Sequence, residues 1–176
     1  MIELSVIRDL VAIFGVIGGF TYYALTVRNA QRTRELTLKA QEQTLETRQA
    51  QMFMQIYNAS HNDPTYLEAQ RRCFELQINS YEDYLRIQEN EEDREAFGRV
   101  GMFYEGLGVL VKEGYISIRL VALLMTGTTR MLYERLWKNW VEEGRVRMGY
   151  RRYRSEAEYL YNELMRYIEE NPELAT

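Results

Sequence analysis

Hydrophobic and polar positions divide the chain into three parts. Residues 10–27 contain no charged side chain, residues 28–60 are mostly polar, and apolar residues recur at helical spacing through residues 61–171. We find no alternating strand pattern and no repeat. The pattern therefore predicts an all-α protein: a single N-terminal transmembrane helix continues into a long polar helix, the stalk, and a compact multi-helix domain follows. Residues 1–9 are a short segment before the membrane helix, and residues 172–176 are a tail.

The uncharged stretch, LVAIFGVIGGFTYYALTV, is long enough to cross a bilayer. Its 18 residues span about 27 Å as a helix, close to the roughly 30 Å of membrane hydrocarbon. A soluble core helix is rarely apolar on every face. A cleaved signal peptide is the alternative, but Arg8 is offset by Glu3 and Asp9, and no small-x-small cleavage site follows the stretch. We therefore interpret residues 10–27 as an uncleaved anchor.

Flanking charges predict the orientation of this anchor. Arg28, Arg32 and Arg34 follow it, whereas Arg8 alone precedes it, and basic residues are retained on the cytoplasmic side. Aromatic side chains are favoured at membrane interfaces, and the pair Tyr22 and Tyr23 lies about one turn inside the cytoplasmic end. We expect a single-pass protein of the cell membrane with its N-terminus outside and its domain in the cytoplasm.

Small residues lie on one face of the predicted membrane helix. Gly15 and Gly19 form a G-x-x-x-G motif, and Ala12 lies one turn earlier on the same face. Such residues allow two membrane helices to approach closely. The motif is also common by chance, so helix association and simple contact with lipid both remain open.

The stalk contains neither glycine nor proline and is rich in good helix formers. Leu38, Leu45 and Met52 recur every seven residues, but the positions three or four away from them are polar. A single heptad stripe is a weak coiled-coil signal. A polar helix of this length needs support from neighbours, yet a solvated spacer also fits the pattern.

Capping signals divide the domain into helices. Asp63-Pro64, Ser80 and Ser117 predict helix starts, Gly114 predicts an end, Ser155 to Glu158 reads as a capping box, and Asn171-Pro172 ends the last helix. Leu67, Phe74 and Ile78 are the expected buried residues of the first helix. Gly101 and Gly108 would let another helix approach. The predicted helices cover residues 64–78, 81–88, 93–113, 118–125, 128 or 129 to 143, and 155–170.

The composition removes most catalytic chemistry. Cys73 and His61 are the only residues of their kinds, which excludes an internal disulfide and a zinc site of several cysteines. We expect a buried thiol at Cys73 and an exposed loop residue at His61. Glu105, beside two aromatic residues, is either a perturbed catalytic acid or, as we favour, a structural acid paired with Arg119 or Arg145. We predict no catalytic residue, no metal, no cofactor and no small-molecule substrate.

Charge is unevenly distributed although the net charge is only −4. Residues 75–95 carry eight acidic and two basic residues, and residues 128–154 carry eight basic and three acidic residues. The basic end interleaves aromatic residues, a composition that suits phosphates and bases. Complementary protein contact, anionic lipid and nucleic acid are the candidate partners, in that order. We refer to the following residues as the basic-aromatic segment: Trp140, Arg145, Arg147, Tyr150, Arg151, Arg152, Tyr153 and Arg154.

The stretch FYEGLGVLVKEGYIS, Phe103–Ser117, carries a resemblance to a known family. Together with Leu120-Val121, Tyr133-Glu134 and Arg145, it resembles a family of small, mostly prokaryotic proteins classed as a domain of unknown function. The resemblance implies a membrane helix, a polar helical linker and a helical domain built on an F-x-E-x-L-G-x-L-V-x-x-G-x-I motif. The sequence departs from the family at Tyr133 and Asn139, where a tryptophan and a proline are expected. No activity or catalytic residue is implied.

Two functions follow as expectations. The first is a membrane-tethered cytoplasmic interaction or scaffold protein that self-associates as a homo-oligomer or binds a protein partner. The alternative is a membrane-localised nucleic-acid binder that uses residues 145–154.

Overall fold

The computed structural model describes residues 4–174, and within that range the chain is helical with no strand. The all-α prediction is confirmed, including a long N-terminal helix followed by a compact helical domain. Residues 1–3 and 175–176, part of the predicted N-terminal segment and tail, lie outside the described residues. The helices are α1 (Leu4–His61), α2 (Pro64–Glu75), α3 (Tyr81–Glu89), α4 (Glu91–Lys112), α5 (Ile118–Leu136), α6 (Val141–Arg147) and α7 (Ser155–Glu170), followed by a 3-10 turn at Pro172–Leu174.

The chain divides into two units, Met1–Thr47 and Arg48–Thr176. The second unit, which we call the domain, contains the last part of α1 together with α2–α7. It therefore includes residues 48–60, which the sequence analysis assigns to the stalk. Phe53 explains the difference, because its side chain is fully buried and Ile56 and Tyr57 pack against the same core.

Short polar side chains define where the helices of the domain begin. Asp63, Ser80, Asn90 and Ser117 each accept a hydrogen bond from a backbone N–H of the following turn, at 2.9–3.3 Å. These bonds satisfy donors that have no partner inside the helix. Gly114 follows α4 with φ of 73°, a left-handed conformation that glycine adopts without strain. All but Asn90 were predicted as caps or helix ends.

The core lies between α2, α4, α5 and α7. α4 packs on α2 and α7, and α7 also packs on α5. Aromatic side chains fill much of the interior, where Phe97, Tyr104, Trp137 and Trp140 are all buried. Tyr84 stacks on Trp140 with 4.1 Å between ring centroids. This burial of large rings stabilises the domain mainly through the hydrophobic effect.

Helix α2 differs from its prediction in length and in orientation. It ends at Glu75, and Ile78 is buried beyond it, held by a 2.9 Å bond from its backbone N–H to the carbonyl of Arg135. Leu67 is exposed, and Phe74 is only partly buried. The buried residues are Tyr66, Ala69 and Cys73, so the prediction for the buried face was wrong except at Ile78.

Helix α5 runs without interruption where two helices were predicted. Thr128 and Thr129 lie inside it, and Thr129 is buried. The chain instead breaks at Trp137–Trp140, where the Trp140 indole N–H donates to the carbonyl of Leu136 at 2.5 Å. Gly144, one residue beyond the predicted end of the helix at residue 143, lies within α6 against the Trp140 ring.

The predictions for two helix ends were also wrong. Ser155 is the first residue of α7 and not its cap, because Arg154 takes that position in the left-handed conformation with φ of 56°. His61 is not a loop residue, because it ends α1 and stacks on Tyr57 with 3.8 Å between centroids. The cysteine prediction is confirmed, since Cys73 is buried. Burial raises the pKa of its thiol to about 12.

Candidate interaction surfaces

The apolar part of α1 is exposed along its whole length. α1 is long and apolar enough to cross a membrane, and none of its apolar window is buried against the rest of the chain. Phe14 and Phe20, for example, are both more than two-thirds exposed. A core helix of a soluble domain would be mostly buried. Exposed apolar surface of this extent marks a site that contacts membrane or protein.

The small residues of this helix leave open space beside it. Side chains built at Gly15 and Gly19 would meet nothing within 4 Å, and Ala12 is exposed on the same face. Thr21 and Thr26 donate their hydroxyl hydrogens to the carbonyls of Ile17 and Tyr22 at 2.8 Å. These polar groups are therefore satisfied within the helix, as an apolar environment requires.

The predicted membrane-interface residues follow these small residues along α1. The residues concerned, all exposed, are Tyr22, Tyr23, Arg28, Arg32 and Arg34. None of the three arginines forms an ion pair within residues 4–174. Their side chains are thus available to lipid headgroups or to another chain.

The basic-aromatic segment does not form one continuous exposed surface. Trp140 and Arg154 are buried, and Tyr153 is partly buried. The guanidinium of Arg154 lies over the rings of Phe97, Trp137 and Tyr153, with its central carbon 5.2–5.7 Å from the ring centroids. These residues hold the 148–154 turn to the core and cannot stack on an external ligand.

Several of the remaining bases are engaged in ion pairs. Arg145 contacts Glu142 at 2.5 Å and Glu158 at 2.7 Å, and its Nε donates to the carbonyl of Tyr153 at 2.9 Å. Arg152 contacts Glu156 at 3.1 Å. Arg151 is exposed and forms no ion pair within the described residues.

Arg147 links the two charged segments. It contacts Glu82 of the acidic segment at 2.8 Å and Glu143 at 2.7 Å. Part of the charge asymmetry is therefore matched inside the domain. An open cavity of about 560 Å³ remains beside this region, lined by Glu142, Arg145, Val146, Gly149 and Arg151.

Glu105 has a structural partner that the sequence analysis missed. Its carboxylate accepts a 2.7 Å hydrogen bond from the backbone N–H of Ala157, in the first turn of α7. The prediction of a pair with Arg119 or Arg145 was wrong. A carboxylate at this position satisfies an unpaired donor and opposes the positive end of the helix dipole. Glu105 thus replaces the cap that Ser155 does not provide.

Two glycines of α4 allow this approach. A side chain at Gly108 would collide with the backbone carbonyl of Glu156, and one at Gly101 would collide with the guanidinium of Arg154. The prediction that a neighbouring helix approaches these glycines is confirmed at Gly108, whereas Gly101 makes room for a side chain. The motif of Phe103–Ser117 therefore joins α4 to α7 in this chain, with Leu107 and Ile116 in the core.

Glu156 also stabilises the contact between α4 and α7, which we call the joint, through electrostatic interactions. Its carboxylate is buried and contacts Lys112 at 2.9 Å and Arg152 at 3.1 Å, and Ser155 also lies within hydrogen-bond distance. The hydrogen bond from Lys112, followed by those from Arg152 and Ser155, lowers the pKa of this carboxyl even though burial opposes the shift.

An exposed apolar face of α5 was also missed. Leu123 and Leu124, both within the helix predicted at residues 118–125, are 51% and 48% exposed. Met131 is exposed on the same side, and a side chain at Gly127 would meet nothing within 4 Å. We call these four residues the α5 face. Part of the signal was present in the sequence, because Leu123 lies two residues from both Val121 and Met125 and therefore points to the other side of the helix.

Three arginines border the α5 face. Arg119, Arg130 and Arg135 are all exposed, and Arg130 alone contacts a carboxylate, that of Glu134 at 3.4 Å. The surface is thus apolar at its centre and positive at its margin. Among residues 4–174, no group of three or more His, Cys, Asp or Glu side chains is arranged to hold a metal ion.

Comparison with known proteins gives a match over most of the chain. A family model described as a domain of unknown function (DUF4760) matches residues 10–164. The matched range begins with the uncharged stretch of α1 and ends within α7. No curated protein and no solved structure matches the chain.

Proposed function

We propose that this chain, which belongs to the DUF4760 family of unknown function, is a membrane-tethered interaction protein. The observation that carries the proposal is the charge-free, fully exposed stretch of α1, residues 10–27. A helix of this length can reach across the hydrocarbon of a bilayer, and exposed apolar surface of this extent is typical of a site that contacts membrane or protein. The anchor would fix the protein in one plane.

The orientation in this proposal is N-terminus outside and domain in the cytoplasm, at the cell membrane. Support comes from Arg28, Arg32 and Arg34, which follow the apolar stretch against a single preceding Arg8. Arg8 also lies 3.3 Å from Asp9. The excess of basic residues after the anchor therefore favours a cytoplasmic location for the domain.

In this proposal the domain binds a protein partner, and the α5 face is the contact surface that the geometry favours. Leu123, Leu124 and Met131 supply exposed apolar area, and arginines surround them. Apolar centres with polar margins are typical of protein interfaces. A partner with an apolar helix and acidic flanks would satisfy both features.

The alternative of a nucleic-acid binder receives less support. Much of the charge and aromatic area that the segment at residues 145–154 would need is buried or paired, and Tyr150 and Arg151 are its members that are exposed without an ion pair. Binding to phosphates requires several free cations acting together. A salt series of gel shifts tests this alternative, because a nucleic-acid binder should lose affinity steeply as salt rises.

The experiment that tests the proposal uses the full-length chain expressed in cells. Membranes are washed at high pH and high salt, and the protein is then solubilised in detergent and its particle mass is measured. We expect the chain to stay with the membranes through both washes. We also expect a particle larger than one chain plus detergent, caused by self-association or by a co-purifying protein.

Two matched variants make the result specific. Ile17→Arg places a charge at the centre of the anchor, which costs about 3 kcal/mol in a bilayer and should release the chain from washed membranes. Leu123→Ser with Leu124→Ser should leave the chain in the membrane but reduce the co-purifying partner. A wild-type chain that washes off, or a strictly monomeric particle with no partner, would refute the proposal.

A further inference from the structure

We infer that copies of this chain associate in parallel through a leucine stripe on α1, formed by Leu38 and Leu45 and flanked by complementary charges. The inference rests on the proposed anchoring, because a common orientation in one membrane makes neighbouring copies parallel. It names a second copy of the chain as the occupant of this face.

The first support is the exposure of this part of α1. Every residue from 28 to 47 is exposed, and Leu38 and Leu45 are 63% and 56% exposed. Most helical stability in proteins comes from packing of an apolar face against neighbours. The two leucines therefore lie on an exposed stretch of helix that a neighbouring helix would stabilise.

The second support is the spacing of the stripe. Seven residues separate Leu38 from Leu45, which places them on nearly the same side of the helix two turns apart. Gln31, one heptad earlier, and Met52, one heptad later, continue the line with uncharged side chains. Facing copies in register would thus bury leucine against leucine.

The third support is the charge on either side of the stripe. At about 100° per residue, Glu35, Glu42 and Glu46 lie on one flank, with Lys39 just beyond it, and Arg34 and Arg48 lie on the other with Gln41 between them. In a parallel pair the acidic flank of one helix faces the basic flank of the next.

The heights of these charges also match. Arg34 and Glu35 differ by a single residue along the axis, and Glu46 and Arg48 differ by two, or about 3 Å. None of the five charged flank residues forms an ion pair within residues 4–174. Parallel copies would therefore pair opposite charges on both sides of the buried leucines.

The opposite face of the helix is the alternative contact surface between two copies. Ala40 and Thr47 lie on that face, about 140–180° around the helix from the two leucines. Thr47 and the nearby Thr37 and Thr44 donate their hydroxyls to carbonyls one turn earlier at 2.7–2.9 Å. Small side chains bury less apolar area than leucine, so the leucine stripe is the favoured contact.

Cysteine cross-linking in membranes tests the inference. Single substitutions Leu38→Cys and Leu45→Cys are compared with Ala40→Cys and Thr47→Cys in the full-length chain, using a mild oxidant and isolated membrane vesicles. The natural Cys73 is buried, so the unsubstituted chain serves as the blank. Sulfur atoms join only where the two helices bring them within a few ångström.

We expect at least about tenfold more covalent dimer from the two stripe positions than from the two opposite positions, because the helices bring the two sulfur atoms together only at the stripe. Dimer from Ala40→Cys and Thr47→Cys alone would overturn the inference in favour of the other face. Equal yields at all four positions, or no dimer at any, would overturn it as well.

Charge reversal supplies an independent readout on the Leu45→Cys background. Arg34→Glu alone and Glu35→Arg alone should each lower the cross-linking yield about two- to five-fold, as expected for an exposed ion pair. The double reversal should restore it. A double variant no better than the single variants would contradict the parallel register.

The same samples separate this inference from the proposed function. If the chain remains in washed membranes and no dimer forms, the inferred association through the leucine stripe is wrong, whereas the proposed anchoring is retained. If the chain is absent from the washed membranes, the anchoring fails, and cross-linking of the detergent-free soluble chain then decides whether the stripe pairs without it.

Discussion

Glu105 shows how one residue joins two distant parts of the domain. Its carboxylate accepts a hydrogen bond from the Ala157 backbone N–H, 52 residues away along the chain. We predict that Glu105→Ala lowers the free energy of unfolding by about 1–2 kcal/mol, because α7 loses its cap. Glu105→Gln should recover part of the loss, since an amide oxygen still accepts the bond without its charge.

Urea unfolding of the full-length chain in detergent measures this effect. Trp137 and Trp140 are the only tryptophans and both are buried in the domain, so their fluorescence reports its unfolding. Glu95→Ala is the matched control on the same helix, because Glu95 is exposed and forms no ion pair within residues 4–174. An effect at Glu95 as large as that at Glu105 would contradict the capping role.

The glycines of α4 allow an equally direct comparison. A side chain at Gly108 would collide with the Glu156 carbonyl, whereas one at Gly106 would meet nothing within 4 Å. We predict that Gly108→Ala lowers the free energy of unfolding by about 1–3 kcal/mol through overpacking. Gly106→Ala should raise it by about 0.5–1 kcal/mol, the usual preference of alanine over glycine in a helix.

The same fluorescence-monitored unfolding distinguishes the two outcomes by sign. Both variants add one methyl group to one helix, so a difference between them reports the contact with α7. Equal shifts in the same direction would mean that α4 and α7 are not held as closely as the structure has them.

At the scale of elements, local signals predicted the helix ends best. Asp63, Ser80 and Ser117 act as caps because their short polar side chains accept hydrogen bonds from backbone N–H groups two or three residues later. Such an interaction depends only on residues that are close in sequence. The apolar stretch of α1 was equally predictable from the sequence, since its length and its lack of charged residues suffice to identify a candidate membrane span.

Features that depend on distant contacts were not accessible from local pattern. The sequence around Thr128 resembles a helix start, but Thr129 is buried within α5, so packing overrode the local signal. Ser155 failed as a cap because Glu105 reaches the first turn of α7 from another helix. The ion pairs that Arg145, Arg147 and Arg152 of the basic-aromatic segment form within the domain could not be read from composition.

The joint between α4 and α7 should make the domain sensitive to acid. Hydrogen bonds from Lys112 and Arg152 lower the pKa of the Glu156 carboxyl in the folded state. A lowered pKa contributes stability that is fully present above the unfolded pKa of about 4.5, and this stability is lost as pH falls through the folded pKa. We predict that Glu156→Gln costs about 1–3 kcal/mol at pH 7 and progressively less as the pH falls below about 4.5.

Unfolding midpoints measured from pH 7 to pH 3 test this prediction. The gap between wild type and Glu156→Gln should begin to narrow below about pH 4.5 and should close once the pH is below the lowered folded pKa, where both carry a neutral side chain at this position. Glu113→Gln is the control, because Glu113 is exposed and unpaired among the described residues. A gap that stays constant with pH would show that the charge of Glu156 is not what stabilises the joint.

At the scale of the whole molecule, the boundary at Arg48 separates an exposed helix from a domain that is stabilised by its own hydrophobic core. The domain has its own core, and Phe53 from the last part of α1 belongs to it. The preceding residues 8–47 are exposed throughout and have no comparable core. The domain should therefore fold without the membrane helix but not without the end of α1.

Two truncated chains test this division. A chain that begins at Arg48 should be soluble and should unfold cooperatively, at a urea midpoint close to that of the full-length chain in detergent. A chain that begins at Asp63 loses Phe53, Ile56 and Tyr57, and removing one buried phenylalanine alone costs about 3–5 kcal/mol. We expect it to be largely unfolded, because that cost is comparable to the whole stability of many domains. If the chain beginning at Asp63 were as stable as the one beginning at Arg48, α1 would be an anchor and spacer alone, and the domain would begin at α2.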